Sequence, residues 1–440
     1  MKRSFLPFCL IGLTGIAVCL LMACNKKEVV ANDVFNTGSN ERNLIVVISD
    51  LHLGADISYA ETNANLAPLA NFLEQVRASR NVKELVIAGD MIDEWFVPAK
   101  TDTYHGKDQA DFVDRVVETN KDVFGRFNGI IKDGKILVTY LPGNHDLTIT
   151  AENISKIFPG INQARDNGLL GLGTYSPADY PEIAIEHGHR YNFFCAPDPV
   201  SNQDAAPGTI LPPGYFFTRI AAQHVIEDCH ENTDEIPTVT PNVSGDESQT
   251  LLYKYYLVWA WTMEQLPIED HFDEKIIITN VDGFIGDYSV NDLFPYQTTE
   301  GGVIEVNLFN GIQDTWAHRC ALNNVAVSVP TDDAIMQAAS VAGTDTMAVI
   351  QYFMNPNSDK RLVVFGHTHE AKIKTYENHN GQKAIYANSG TWIDHNPGRT
   401  TMNFIIITQQ NNDGNSQTYV KLYNFENQII TEMAQDSLRL

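Results

Sequence analysis

Apolar positions along this chain fall into two textures. Short, β-branched runs without polar interruption, "NLIVVISD" (43–50), "ELVIAGD" (84–90) and "KILVTYLPGN" (135–144), predict strands covered on both faces. Between them "LAPLANFLEQVRAS" (66–79) has helical spacing, and residues 108–132 predict one long amphipathic helix. A fourth strand is expected at "EIAIEHG" (182–188). Strand and helix alternating at this pace indicate α/β architecture.

The texture changes after residue 195. "APDPVSNQDAAPGTILPPG" (196–214) is dense in turn formers, and helical patterns follow at 215–230, 250–265 and 331–354. The strand rhythm returns at "RLVVFGHTH" (361–369), "KAIYANSGTW" (383–392), "MNFIIITQ" (402–409) and "YVKLYNF" (419–425). This pattern predicts a core domain in two parts, 43–195 and 357–440, with 196–356 as a mainly helical and loop insertion or cap.

The chain begins with Lys2 and Arg3, then the apolar run "SFLPFCLIGLTGIAVCLLMA", which ends just before Cys24. The segment is similar to a bacterial lipoprotein signal (1–23), with Leu21, Met22 and Ala23 as the cleavage box and Cys24 as the lipidated residue. An uncleaved anchor is the alternative. The polar stretch 24–42 reads as a tether. On this reading the folded part is exported and lipid-anchored to a bacterial membrane. Composition adds two points. A formal charge of −25 disfavours long nucleic acid as a partner, since that binding relies on neutralising phosphates with Lys and Arg. Three of the six cysteines, Cys195, Cys229 and Cys320, lie beyond Cys24; one disulfide is possible, with all three pairings open.

The chemistry gathers where strands stop. Asp50 and His52 close the first run, Asp90 and Asp93 the second, and Asn144, His145 and Asp146 the third. His187 and His189 follow the fourth, and His367 and His369 the strand after the insertion. Ligands of α/β sheets bind beyond the carboxyl ends of strands, so these ends point to one polar cluster. Oxygen and imidazole donors without sulfur suit Mn, Fe or Zn, and seven donors (Asp50, His52, Asp90, Asn144, His187, His367, His369) exceed what one ion uses.

The series Asp50-x-His52, Gly89-Asp90-x-x-Asp93, Gly143-Asn144-His145-Asp146, His187-Gly188 and Gly366-His367-x-His369 resembles the calcineurin-like metallophosphoesterase family. "SDLHLG", "GDMIDEW" and "NSGTW" are closest in flavour to its branch of UDP-diacylglucosamine pyrophosphohydrolases. The resemblance implies a four-layer sandwich, two packed β-sheets flanked by helices, with two divalent metals at one sheet end. It would give Asp50, His52 and His369 to the first ion and Asn144, His187 and His367 to the second, with Asp90 bridging. Metal-bridging hydroxide would attack phosphorus, His145 would protonate the leaving group and Asp93 would support His145. His189 is a candidate for binding phosphate or capping a loop, and Asn388 for a place beside the substrate. Glu94 and Trp95 read equally as cleft or surface residues. The expected function is hydrolysis of a phosphodiester, pyrophosphate or monoester bond in a phosphorylated small molecule or lipid headgroup. The competing expectation is a catalytically silent surface lipoprotein that binds a glycan or lipid through its insertion.

Overall fold

In the computed structural model, which describes residues 33–338, 340–408 and 417–440, alternate residues of the apolar runs serve two different cores. The first half of the chain contains β1 (Leu44–Ile48), β2 (Val82–Ala88), β3 (Leu137–Leu141), β4 (Asn162–Gln163), β5 (Thr174–Tyr175) and β6 (Ile183–Glu186). Among them lie α1 (Leu66–Ala78), α2 (Gln109–Thr119), α3 (Lys121–Asp133) and α4 (Ala151–Ile157). Residues 196–356 hold α5 (Pro213–Glu227), α6 (Glu247–Gln265), β7 (Ile277–Thr279), β8 (Gly286–Tyr288), α7 (Val290–Leu293), β9 (Tyr296–Gln297) and β10 (Ile304–Glu305). Three more helices follow there, α8 (Ile312–Leu322), α9 (Thr331–Gln337) and α10 (Val341–Ala348). The last part supplies β11 (Leu362–Phe365), β12 (Lys372–Glu377), β13 (Lys383–Asn388), β14 (Asn403–Thr408), β15 (Thr418–Glu426) and β16 (Ile429–Leu438).

A seven-stranded sheet runs β16-β15-β14-β1-β2-β3-β4, and a five-stranded sheet runs β12-β13-β11-β6-β5. Ile45, Val47, Val86 and Ala88 of the first meet Ile185, Val364, Ile385 and Ala387 of the second in a dry layer. Their neighbours Val46, Ile48, Leu85 and Ile87 point the other way, into the core shared with Phe72 and Phe127 of α1 and α3. Burial on both faces is why these strands lack polar alternation. The α/β sandwich of packed sheets and helices expected from the sequence is present. Its parallel sets, β1, β2, β3 and β6, β11, β13, each open their carboxyl ends along one edge.

Two expectations change, and one open possibility is decided. The helix over 108–132 is two, because Asn120 leaves helical geometry (ψ 29°) and turns its side-chain amide to the carbonyls of Val116 and Gly54, both at 2.8 Å. The tether is shorter than the sequence suggested. Phe35 is buried against Phe72 and Phe404, and the Asn81 side chain bonds Thr37, Ser39 and Glu41, so residues 33–42 dock on the core. The signal segment, Cys24 and the rest of the tether lie outside the described residues. Finally, Cys195, Cys229 and Cys320 are all free thiols, and no disulfide joins them.

Most aromatics of residues 196–356 are packed core, with Trp261 left 52% exposed. Phe194 stacks on Tyr255 (5.4 Å between centroids) and Phe217 on Trp259 (3.8 Å), in the hydrophobic cluster that also contains Trp95. Buried Arg219 of α5 reaches the carbonyls of Val97 (2.7 Å), Pro98 (3.1 Å) and Ala99 (3.1 Å) and so fixes this helix against the loop after β2.

Candidate metal centre

Asp50 and His52 stand just beyond β1, Asp90 and Asp93 beyond β2, Asn144 and His145 beyond β3, His187 at the end of β6, and His367 and His369 beyond β11. Five of them have left-handed backbone: Asp50 (φ 54°), His52 (44°), Asp90 (51°), His367 (69°) and His369 (55°). Non-glycine residues adopt this conformation at a cost and only where surroundings impose it, which is common at functional sites.

The side chains converge on two points. One ligand atom each from Asp50, His52, Asp90 and His369 lies within 4.8 Å of all the others, and Asp90, His187 and His367 form a second such group. Asp90 belongs to both. Asn144 extends the second group, with Oδ1 3.1 Å from His187 Nε2. Acceptor atoms face one another: His52 Nε2 is 3.2 Å from His369 Nε2, and His187 Nε2 is 3.0 Å from Asp90 Oδ2. The structure thus brings together all seven sequence-predicted donors.

The ring nitrogens are oriented for coordination. His187 Nδ1 donates to the Ala88 carbonyl (2.8 Å), which leaves Nε2 as the lone-pair nitrogen toward Asp90. His52 Nδ1 is held by Asp93 Oδ2 (2.8 Å), again leaving Nε2 inward. Electrostatics agree. Burial opposes charge on Asp90, but His187, His145 and His52 outweigh it and hold the carboxyl well below its usual range. His187 would also be depressed by burial, yet Asp90 and Asp50 raise it to about 9. Burial first, and then the charge on His187, push His367 down to about 3, which keeps its ring neutral. Buried carboxylates that draw positive charge from their neighbours, beside the neutral ring of His367, fit divalent cations.

The motif glycines make room for this crowding. A Cβ at Gly143 would lie 2.2 Å from Asp90 Oδ1, and one at Gly366 would lie 2.6 Å from Asp50 Oδ2. Gly89 needs both space and conformation: its φ is +89°, and a Cβ there would meet the His187 ring at 2.4 Å.

Around the donors, Asp93 joins two histidines, with Oδ2 on His52 and Oδ1 on His145 Nδ1 (2.8 Å). Burial disfavours its charge, but the two rings keep its carboxyl far below the normal range. His145 rests on the ring of Trp95 (5.2 Å, 29°) and lines a cavity of ≈320 Å³ with Asp90, Asn144, His367 and His369. Although burial lowers its affinity for a proton, Asp93 and Asp90 raise it above that of a free histidine.

Asp146 keeps the structural turn role its sequence context suggests, accepting from the amides of Met91 (2.9 Å) and Gly143 (2.6 Å). Several assignments shift. Glu94 and Trp95 are buried and not at the surface. Asn388 does not line the cavity. Its amide donates to Gly366 O (2.7 Å) and Thr368 Oγ1 (3.1 Å), so it braces the turn carrying His367 and His369. His189 is also withdrawn: it is buried behind His187 with Nε2 on the Gly171 carbonyl (2.9 Å), because the turn at Gly188 folds the chain away from the cavity. The sequence reading missed Glu61, whose Oε2 lies 3.1 Å from His52 Nδ1. A lone acid in a polar loop carries no motif signal.

Residues 44–208 match the calcineurin-like phosphoesterase family. That match supports the metallophosphoesterase assignment, and with it a metal-dependent phosphoester hydrolase domain. That family typically binds two divalent metals, and the two donor groups sharing Asp90 are candidate ligand clusters for such ions. The match ends before His367 and His369. They join the site through the parallel pairing of β11 with β6, Leu362 opposite Ile183. No curated protein matches the chain.

Two outcomes follow from this geometry. Gly143→Ala should displace Asp90 and abolish the rise in melting temperature that manganese gives the parent protein, a rise expected of any ligand that binds only the folded state. An undiminished rise would mean that Asp90 is not a ligand. Glu94, buried beside Thr148, Tyr104 (2.6 Å) and Gln109 (3.2 Å), has its carboxyl pushed up to about 7 by burial. A carboxyl raised from 4.5 destabilises the fold above pH 7, and the penalty fades as pH falls toward 4.5. Glu94→Gln should therefore be more stable than the parent by about 1–3 kcal/mol at pH 8 and equal near pH 5, in urea titrations. A pH-independent difference would contradict this account.

Proposed function

We propose that the chain is a dimetal phosphoesterase that cleaves a phosphodiester or pyrophosphate bond by direct attack of water at phosphorus. The carrying observation is the place of His145. Its Nδ1 is anchored on buried Asp93 and its ring is stacked on Trp95, so Nε2 is the nitrogen left to serve the cavity beside Asp90. Asp50, His52, Asp90 and His369 would hold one ion, and Asp90, Asn144, His187 and His367 the other. Once bound, two divalent ions offset phosphoryl charge and acidify water to a nucleophile.

This chain's own groups do the rest. Asp93 orients His145 and favours the protonated form of its ring. In the hydrolysis, the water oxygen bonds to phosphorus as the bond from phosphorus to the leaving oxygen breaks. His145 Nε2 gives its proton to that leaving oxygen, and the proton lost by the water passes to solvent. The buried Ala88, Asn388 and Asp146 contacts fix the turns that carry the donors. All seven donors, Asp93 and His145 are present together, which favours turnover over a silent binding protein.

The first two dozen residues support a further element of this reading: the enzyme works outside the cytoplasm, tethered to a membrane through lipidated Cys24. Palmitate labelling of the expressed chain, lost in Cys24→Ser, would support it; equal labelling of both would refute it.

For the chemistry, the manganese-loaded protein should hydrolyse a phosphodiester with an alkyl leaving group, and His145→Ala should slow that reaction by about 100-fold or more. The same variant should slow the p-nitrophenyl diester far less, because that leaving group needs no proton. Equal losses on both esters would remove His145 from the role of acid.

A further inference from the structure

The cavity above the metal centre has a floor and a wall of opposite character. Its floor is Asp90, Asn144, His145, His367 and His369. Its wall is mainly apolar, Trp95, Phe194, Phe217, Val258 and Trp261 beside the uncharged Asn192, Thr218 and Thr262, from the loop after β2 and from residues 192–262. None of the described residues lining it is a lysine or arginine. In a phosphoesterase this matters. A second phosphate, or a nucleotide diphosphate, brings further negative charge, and none of the described residues of this wall offers a lysine or arginine to meet it.

The wall is also preformed. Phe194 is fixed by Tyr255 and Phe217 by Trp259, and the two phenylalanines meet edge to face at 5.3 Å. Trp261 stands at the rim, 52% exposed, with its ring open to a group entering the cavity. At ≈320 Å³ the cavity is at the small end of the about 300–1,000 Å³ usual for ligand sites.

We infer that the substrate carries a single phosphate group and that the substituent beside it is uncharged and apolar, an aryl or short alkyl group seated against Phe217 and Trp261. The inference rests on the phosphoesterase reading and narrows it, from phosphodiester or pyrophosphate to an ester with an apolar arm. The bond cleaved is the one from phosphorus to oxygen; the apolar arm departs as an alcohol or phenol carrying the proton from His145, or stays on the phosphate if it lies on the other side.

Calorimetry on the manganese-loaded full chain tests this with phenylphosphonate, methylphosphonate and pyrophosphate. Phenylphosphonate should bind about 10-fold tighter than methylphosphonate, the gain of burying one ring against aromatic partners. Trp261→Ala, at an exposed position that leaves the fold intact, should cut this ratio to about 3 or below. Trp261→Lys should reverse the preference between phenylphosphonate and pyrophosphate. Equal binding of the two phosphonates, or pyrophosphate binding tightest to the parent protein, overturns the inference while leaving the phosphoesterase reading in place. Failure of all three probes to bind overturns both.

Discussion

Asp50, Asp90 and Asp93 are carboxylates buried side by side at the mouth of two sheets, and the surrounding structure answers their charge. Unpaired, each would cost several kcal/mol or take up a proton. Here each is met by histidine: Asp50 by His369 (3.2 Å), Asp90 by His187 (3.0 Å), Asp93 by His52 and His145 (2.8 Å each). The histidines are in turn oriented by groups without catalytic chemistry, such as the Ala88 carbonyl. The backbone accepts left-handed conformations at five positions to bring these groups together. Such strain persists only when packing over-determines it, and the dry layer between the sheets supplies that packing.

The same logic explains why the donors come from distant parts of the chain. His367 and Asp50 are far apart in sequence, yet the His367 amide donates to Asp50 Oδ1 at 3.1 Å. The parallel pairing of β6, β11 and β13 makes this possible, since it aligns their carboxyl ends regardless of what is inserted between them. The long segment 196–356 is therefore free to shape the cavity without carrying any of the seven donors. Arg219 and the Trp95 contact hold it in register with the loop that carries Asp93.

Much of this was legible in the sequence. Strands buried on both faces announce themselves as runs such as "LIVVI", and polar residues at five strand ends announce a cluster. What escaped notice had no periodic or compositional signal. The break at Asn120 depends on a tertiary bond to Gly54, and Phe35 docks through contacts with residues remote in the chain. Asn388 and His189 illustrate the remaining difficulty: a polar residue next to a site looks the same in sequence whether it faces the substrate or braces a turn. Only the direction of the amide of Asn388, toward Gly366, separates the two. Nor does the motif itself reveal why Gly143 and Gly366 are small: carboxylates press on them.

The central claim is that two divalent ions share Asp90. The most direct test is the metal content of the protein after dialysis against manganese, counted by mass spectrometry for the parent and for Asp90→Asn. Two ions per chain in the parent, with turnover lost when both are removed by chelator and recovered on their return, is the result this account predicts. A content of one ion or none, or two ions still held at undiminished affinity by Asp90→Asn, would contradict it.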